Sequence, residues 1–220
     1  MPHSDGGAIA PEPFDPHCTR CRRLAQALAE VRRTHPGYHG RPVAPFGDAP
    51  TRLLIVGLAP GLHGANRTGR PFTGDHAGLL LYRTLHRFGF ATGPESISAE
   101  DALRLVGCRI TNAVKCWPPQ NKPLREEVRR CNGFLRAELA TLGTGSAVLA
   151  LGAVAHGAVL KAVDLPQAAH AFAHGARHTL PGGWSLHDSY HCSRYNTQTK
   201  RLTQAMFEQV VGRIAAELRG

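Results

Sequence analysis

A long glycine-rich loop, residues 57–75 (GLAPGLHGANRTGRPFTGD), holds the side chains of this chain best suited to bind a ligand and act on it. It follows an apolar run, residues 53–56, that is typical of a buried parallel strand, and it exceeds the usual strand-to-helix connection of about two to six residues. Phe72 could stack on a flat ligand, and the carboxylate of Asp75 could act in the chemistry or cap the next helix. Because ligands of open α/β sheets bind beyond the carboxyl ends of strands, we interpret this loop as an active-site loop.

Two familiar nucleotide-binding patterns do not describe this loop. Residues 64–69 resemble the start of a phosphate-binding P-loop, but Arg70 and Pro71 stand where Lys and Ser or Thr are needed. The dinucleotide pattern GxGxxG is also absent from the end of the strand. A P-loop nucleotidase and a dinucleotide-dependent enzyme are therefore not indicated.

Polar side chains also follow two later strands. Asn112 lies near the end of a strand predicted over residues 108–114, and His191 follows one predicted over residues 185–190. In a parallel sheet both would converge with Asp75 on one edge. The amide of Asn112 could read a base edge, and the histidine could donate to negative charge on a leaving group. The alternatives are a strand amide satisfied by its neighbours and a loop histidine bonded to backbone.

The loop after His191 reads HCSRYNTQTKR, and its basic and aromatic residues suit contact with phosphates and bases. The whole chain has 26 Lys and Arg against 16 Asp and Glu, a formal net charge of +10. This excess predicts a polyanionic partner, nucleic acid first and an anionic membrane second. No apolar run reaches membrane-spanning length and the N-terminus lacks the features of a signal peptide, so a cytoplasmic location is expected.

Four of the six cysteines suggest a metal or cluster site. Cys18 and Cys21 form a Cys-x2-Cys pair, and Cys116 and Cys131 each lie near the boundary of a predicted element. Disulfides are not expected in a cytosolic chain. Four thiolates could hold zinc or an iron–sulfur cluster, and the number of ligands does not separate the two.

Two other constellations compete with the loop. His170, His174 and His178 recur every four residues, which on a helix would place three imidazoles on one face, as in some zinc hydrolases. A glycine within that run and a proline just after it argue against a long helix there. An acyl or phosphoester hydrolase would need a nucleophile, for which Cys192 is the candidate.

Apolar runs alternate with helical patterns along the chain, which predicts an α/β fold. The expected architecture is a three-layer αβα sandwich with a central, mostly parallel four-stranded sheet. A short helix is expected over residues 98–105, an irregular segment over residues 165–183 and a last helix over residues 199–218. The length suits a single domain, residues 17–220, after a flexible N-terminal tail, residues 1–16.

Three segments of the chain resemble the uracil-DNA glycosylase superfamily, and most closely its type B (family 5) enzymes. They are residues 57–75, residues 110–123 (ITNAVKCWPPQNKP) and residues 190–203 (YHCSRYNTQTKRLT). The resemblance implies an enzyme that flips a damaged nucleotide out of DNA and hydrolyses its N-glycosidic bond, leaving an abasic site. Uracil is the expected base, with hypoxanthine and xanthine as further candidates. The alternative is a non-catalytic iron–sulfur module that binds nucleic acid.

The resemblance also implies a role for each matched residue. Asp75 takes the place of the acid that steers or activates water, although better-known branches have that acid where this chain has Ala59. Phe72 corresponds to the aromatic that stacks on the flipped base, and His191 to the histidine that faces the leaving base. Asn112 falls where other branches read uracil. The other expected contacts are Gly57 and Ala59 with the base, and Ser193, Arg194, Tyr195 and Asn196 with the DNA.

The cofactor and the partner follow from the same resemblance. Cys18, Cys21, Cys116 and Cys131 match the ligands of a [4Fe–4S] cluster, so the resemblance favours iron–sulfur over zinc. The expected partner is double-stranded DNA, with single-stranded DNA as a second candidate. The protein is expected to be a monomeric, monofunctional glycosylase that does not bind membranes.

Overall fold

The computed structural model describes residues 10–47 and 49–220, within which helices and strands alternate along the chain. The helices are α1 (Arg22–Thr34), α2 (Ala65–Thr68), α3 (His76–Arg87), α4 (Arg125–Leu139), α5 (Ala153–Ala162), α6 (Arg194–Gln198) and α7 (Gln204–Arg219). The strands are β1 (Leu53–Gly57), β2 (Cys108–Asn112), β3 (Ala147–Leu151), β4 (Arg177–Leu180) and β5 (Trp184–Ser189). Within these ranges no helix is long and apolar enough to cross a bilayer.

The strands form one sheet in the order β2-β1-β3-β5-β4, and every neighbouring pair is parallel except β4 and β5. The central strands β1 and β3 are buried along their whole length because helices cover both faces of the sheet. The chain leaves β1 toward β2 on one side and adds its later strands on the other side of β1. This reversal opens a crevice beyond the carboxyl ends of β1 and β3, where ligands of such sheets bind.

Side chains of β1 alternate between two cores. Leu53 and Ile55 pack in the core shared with α3 and α7, which includes Leu81, whereas Leu54 and Val56 pack in the core shared with α4 and α5. Because successive strand residues point to opposite faces, one apolar run supplies both cores. Complete burial of each Leu or Ile side chain contributes about 1.5–3 kcal/mol. The predicted three-layer αβα arrangement is confirmed.

The predicted number of strands, four, is wrong, because part of the segment expected to be irregular forms the edge strand β4. Only Leu180 of its four residues is buried, so the alternating apolar signal that marks a strand is missing from the sequence. A tight turn over residues 181–183 leads from β4 into β5, and Leu180 pairs with Trp184. The argument against a helix through the three histidines is confirmed, since His178 lies on this strand.

The helix predicted over residues 98–105 is also wrong. Asp101 there accepts hydrogen bonds from the backbone N–H groups of Ile97 (2.8 Å) and Leu103 (3.1 Å). It also forms an ion pair with Arg70, and both side chains are largely buried. The carboxylate therefore closes a turn and anchors the glycine-rich loop instead of capping a helix.

The last helix begins later than predicted. It spans Gln204–Arg219, with the hydroxyl of Thr203 accepting from the N–H of Met206 as its N-cap. The preceding residues form the separate helix α6, capped by Ser193. The first residues of the predicted helix, 199–203, instead lie between these two helices, whose N-caps are ten residues apart.

Part of the predicted flexible tail lies against α4. The N–H of Glu12 donates to the carbonyl of Gly133 at 3.0 Å, and Phe14 packs edge-on against Phe134 with ring centroids 6.0 Å apart. The rest of the predicted tail, residues 1–9, lies outside the described residues.

Candidate active site

A cavity of about 440 Å³ lies at the carboxyl ends of β1, β2 and β5, where the loops predicted to carry the chemistry meet. Its volume is within the range of about 300–1,000 Å³ that is typical of small-molecule sites. The predicted site residues that line it are Ala59, Phe72, Asp75, Asn112, His191, Ser193 and Arg194. The predicted residues Gly57, Tyr195 and Asn196 do not line it but lie beside residues that do.

Phe72 forms one wall of the cavity. Its backbone has a φ of 56°, a left-handed conformation that is uncommon for an aromatic residue, and the hydroxyl of Tyr82 donates to the neighbouring carbonyl of Pro71 at 2.8 Å. The ring stacks toward that of His191, with centroids 5.8 Å apart. The ring also packs directly against the backbone of Gly57, where an added Cβ would lie 2.7 Å from it. Backbone conformations of this kind are concentrated at functional sites.

Asn112 ends β2 and is only 4 % exposed. Its Oδ1 accepts no hydrogen bond from any described residue, so the side chain is not the fully satisfied strand amide that was the alternative. A buried polar atom without a partner costs about 1–3 kcal/mol. A ligand that donates a hydrogen bond to this oxygen would recover that free energy.

Asp75 is both a helix cap and a cavity residue. Its Oδ1 accepts from the N–H of Gly78 at 2.9 Å, which confirms the interpretation of Asp75 as the N-cap of α3. Its second oxygen lies against Gly64, where an added Cβ would be 2.6 Å from Oδ2. Burial raises the pKa of this carboxyl, although hydrogen bonds from the N–H groups of Gly78 and Ala77 oppose the shift. The cap uses one oxygen and leaves the other for a second role.

His191 lies two residues beyond β5, and the side-chain amide of Asn196 donates to its carbonyl at 2.8 Å. Burial lowers the pKa of the imidazole to about 4, so the ring is neutral at physiological pH and can donate one hydrogen bond. The next residue, Cys192, is fully buried in the core, and burial raises the pKa of its thiol. It is therefore no nucleophile, which removes the basis for an acyl or phosphoester hydrolase.

The rim of the cavity is basic and aromatic. Ser193 accepts from the N–H of Asn196 and so starts α6, which presents Arg194 at the cavity and Tyr195 to solvent with 70 % of its surface exposed. A large exposed aromatic beside a cation suits a contact with nucleic acid better than it suits the interior.

The four predicted cluster cysteines approach one another between α1 and α4. Cys116 and Cys131 are buried in an apolar group with Phe134, and Cys18 and Cys21 pack against that group. Burial and then the neighbouring thiols raise the pKa of Cys116, and burial raises that of Cys131 to about 11. No three of these sulfur atoms lie within 4.8 Å of one another.

Two cavity residues with polar side chains were not predicted from the sequence. His76 follows Asp75, and its Nε2 lies 3.0 Å from the hydroxyl of Thr197, which ties α3 to α6. Asn121 enters from the turn after β2. For Asn121, the sequence signal was its position within the segment 110–123 that resembles the glycosylases. For His76, the only signal was its position next to Asp75.

Comparison with known proteins gives a consistent family. The model of the uracil DNA glycosylase superfamily matches residues 44–215. The chain is 49 % identical over 199 residues to the Type-5 uracil-DNA glycosylase of Thermus thermophilus, covering 88 % of this chain and 90 % of that one. It is 42 % identical to the Type-5 uracil-DNA glycosylases of Pyrobaculum aerophilum (91 % and 89 % covered) and Mycobacterium leprae (88 % of each). The architecture, the loops at the strand ends and these matches together show that the chain belongs to the uracil DNA glycosylase superfamily.

Proposed function

We propose that this protein is a monofunctional DNA-repair glycosylase that hydrolyses the N-glycosidic bond of uracil in double-stranded DNA and leaves an abasic site. One observation carries the proposal: a single cavity presents the carboxylate of Asp75, the unpartnered amide oxygen of Asn112 and the neutral imidazole of His191. Several relatives that match most of the chain are named uracil-DNA glycosylases, which supports the same assignment.

The chemistry needs stabilisation of charge at both ends of the breaking bond. As the bond breaks, the sugar becomes an oxocarbenium-like cation and the uracil an anion. The carboxylate of Asp75 would stabilise the sugar and orient the attacking water, and the N–H of His191 would donate to the developing negative charge on the base. Asn112 Oδ1 would accept the N3–H of uracil, and Phe72 would stack on the ring. The base must leave the DNA duplex to enter the cavity, and a mispaired uracil costs the least free energy to unstack.

The function is tested by incubating duplexes that carry uracil, hypoxanthine or xanthine with the purified protein, and then analysing strands with and without alkali. We expect uracil strands to break only after alkali, because a monofunctional glycosylase leaves the phosphodiester backbone intact. Breakage without alkali would contradict the monofunctional assignment. Binding without any base release would favour the non-catalytic module.

The pH dependence of base release checks the state of His191. With a pKa lowered to about 4, its imidazole stays neutral from pH 5.5 to 8. We therefore expect the pH profiles of kcat/KM for the wild type and for His191→Asn to have the same shape over that range. An inflection near pH 6.5 that the variant abolishes would mean that the cationic imidazole acts instead.

The proposed DNA contact of Arg194 predicts a change in salt dependence. If its guanidinium neutralises one phosphate, Arg194→Ala should make the slope of log affinity against log salt less steep by about 0.9. The matched control is Lys161→Ala, because Lys161 is an exposed cation in the last turn of α5, at the opposite edge of the sheet. Equal slopes in both variants would show that Arg194 does not touch a phosphate.

We further propose that Cys18, Cys21, Cys116 and Cys131 hold a [4Fe–4S] cluster. Around one zinc ion, with Zn–S bonds of about 2.3 Å, four sulfurs would lie about 3.8 Å apart. No three of the four sulfurs here lie within 4.8 Å of one another, so they are not gathered at the spacing of a zinc site. The Nε of Arg20 donates to Cys18 and the N–H of Lys115 to Cys131, each at 3.4 Å, which suits thiolates. Bound there, the cluster would tie α1 and α4 to the segment after β2.

We expect the purified protein to be brown and to contain about four irons per chain, the stoichiometry of the cluster. Cys116→Ser should lower the iron content and the visible absorption, because it removes one of the four thiolates. Cys108→Ala is the control, since Cys108 is a buried core residue of β2 outside the cysteine group. Colourless protein with one zinc bound by sulfur would contradict the cluster assignment.

A further inference from the structure

We propose that His156, His178 and Asp188 form a metal site, of the kind that takes Zn²⁺, separate from the cysteine group. The residues come from three elements: α5, β4 and β5. Their ligand atoms all lie within 4.8 Å of one another, and among the described residues no other group of three His, Cys, Asp or Glu side chains does so. None of the three lines the active-site cavity.

Two polar atoms of the site lack hydrogen-bond partners and lie close together. Asp188 is fully buried, and its Oδ2 has no hydrogen-bond partner among the described residues. His178 Nε2 also lacks one, although it lies 3.4 Å from that oxygen. The distance is within ion-pair range, but the geometry does not make a hydrogen bond. A tetrahedral ion with bonds of about 2.0–2.1 Å separates its ligands by about 3.3 Å. The separations from Asp188 are 3.4 Å to His178 Nε2 and 2.8 Å to His156 Nδ1, so binding an ion would move the His156 ring about 0.5 Å outward.

The tautomer of His156 strengthens the case. Its Nε2 lies 2.7 Å from the carbonyl oxygen of His170, and because that oxygen only accepts, Nε2 carries the hydrogen. In the neutral ring Nδ1 is then a lone pair, and it faces Asp188 Oδ1 at 2.8 Å. Two acceptors that close need a cation: a proton at the observed distance, or a metal ion if the two atoms separate to about 3.3 Å.

A metal ion accounts for more of the site than a proton does. A proton on Nδ1 would join His156 to Asp188 but would leave His178 Nε2 and Asp188 Oδ2 unpaired. Zn²⁺ would take up both imidazoles and the carboxylate, with a fourth position for water. The hydrogen bond from Nε2 of His156 to a backbone carbonyl is the outer contact that metal-bound histidines usually make. The His178 side chain is 16 % exposed, which gives an ion a way in.

The position of the site suggests a structural purpose. Asp188 stands three residues before His191, and its backbone is bonded to Gly175 and Ala176 of the loop that precedes β4. Zinc would thus join the edge strand β4 and helix α5 to the strand that carries the catalytic loop. The ion would brace this part of the sheet, and it has no contact with the active-site cavity.

The test uses full-length protein without a histidine tag, exposed to Zn²⁺ and then desalted. We expect about one zinc per chain, independent of iron content. We also expect the zinc X-ray absorption spectrum to show nitrogen and oxygen ligands at about 2.0–2.1 Å, without sulfur at about 2.3 Å. Zinc at a hundredfold excess over its Kd should raise the Tm of chelator-treated protein by about 5 °C or more.

His178→Gln should abolish both the zinc content and the zinc-dependent rise in Tm. This change falls on a short edge strand and leaves the buried His156 and Asp188 in place. The matched control is His35→Gln, because His35 is a half-buried histidine outside the site, next to Tyr38. Wild-type protein that takes up no zinc would overturn the proposal and leave an imidazolium–carboxylate pair in the site. Sulfur ligation of the bound zinc would overturn it as well.

Discussion

Replacing Asp75 with Asn is expected to lower the rate of uracil release by two or more orders of magnitude while leaving the Tm almost unchanged. Asn is as good an N-cap as Asp, so the hydrogen bond from the N–H of Gly78 can persist. The amide cannot supply the negative charge that faces the sugar cation, and losing such a group typically costs about 10²–10⁴ in rate. Single-turnover cleavage and thermal melting of the same preparation measure both effects.

Two matched variants separate the cap from the chemistry. Thr203→Ala removes the N-cap of α7, far along the chain from the cavity, and should cost about 1 kcal/mol of stability with normal cleavage. Asp75→Ala removes cap and charge together and should lose both stability and activity. Near-normal cleavage by Asp75→Asn would refute the assignment and direct attention to Asn112 and His191.

The raised pKa of Asp75 gives the same variant a second signature. A carboxyl whose pKa is raised stays protonated to a higher pH, so wild-type activity should fall as the pH drops through that value. Asp75→Asn has no such group, and its residual activity should lack this acid limb.

The second large effect is expected on stability, at the buried ion pair of Lys115 and Glu138. Their Nζ and Oε1 atoms lie 2.6 Å apart, and the two side chains are 1 % and 9 % exposed. Glu138→Leu leaves the ammonium of Lys115 buried without its counter-ion, which should cost about 3–5 kcal/mol. For a chain of this size that corresponds to a fall in Tm on the order of 10 °C.

The double variant Lys115→Met with Glu138→Leu tests the physical reason. Because replacing a whole buried ion pair with apolar residues is often neutral, the double variant should recover most of the stability that Glu138→Leu loses. Arg83→Met is the control: its partner is Glu95, both side chains are more than half exposed, and the change should cost less than about 1 kcal/mol. Equal losses in Glu138→Leu and Arg83→Met would contradict the argument.

This ion pair also bears on the site. Lys115 lies three residues after Asn112 and directly before Cys116, and its N–H donates to the sulfur of Cys131. Its side chain bonds both Thr111 and Glu138, which ties the end of β2 to α4. Loss of the pair should therefore loosen the segment that joins the proposed base-reading amide to the proposed cluster.

The sequence by itself determined most of the architecture and the location of the site. The apolar runs of β1 and β3 identified buried strands, because only strands covered on both faces are apolar at every position. The alternation with helices implied a parallel sheet, and parallel strands share one carboxyl edge. That rule was enough to place Asp75, Asn112 and His191 together without any knowledge of the contacts.

The predictions of local structure failed where the pattern of buried and exposed residues did not identify the helix or strand. The edge strand β4 has one buried residue, so its sequence carries no alternating apolar pattern. At residues 98–105, a sequence that suits a helix cap forms a turn, because the carboxylate of Asp101 meets the buried guanidinium of Arg70. Propensity is a weak preference, and such tertiary contacts override it.

Only the tertiary structure decided what the individual atoms do. Spacing could not show that one oxygen of Asp75 caps α3 while the other faces the glycine loop, or that Oδ1 of Asn112 is left without a partner. It also could not show that His178 meets His156 and Asp188, which come from separate elements. The physical reason is common to all three: hydrogen-bond partners and burial depend on which side chains packing brings together, and these lie far apart along the chain.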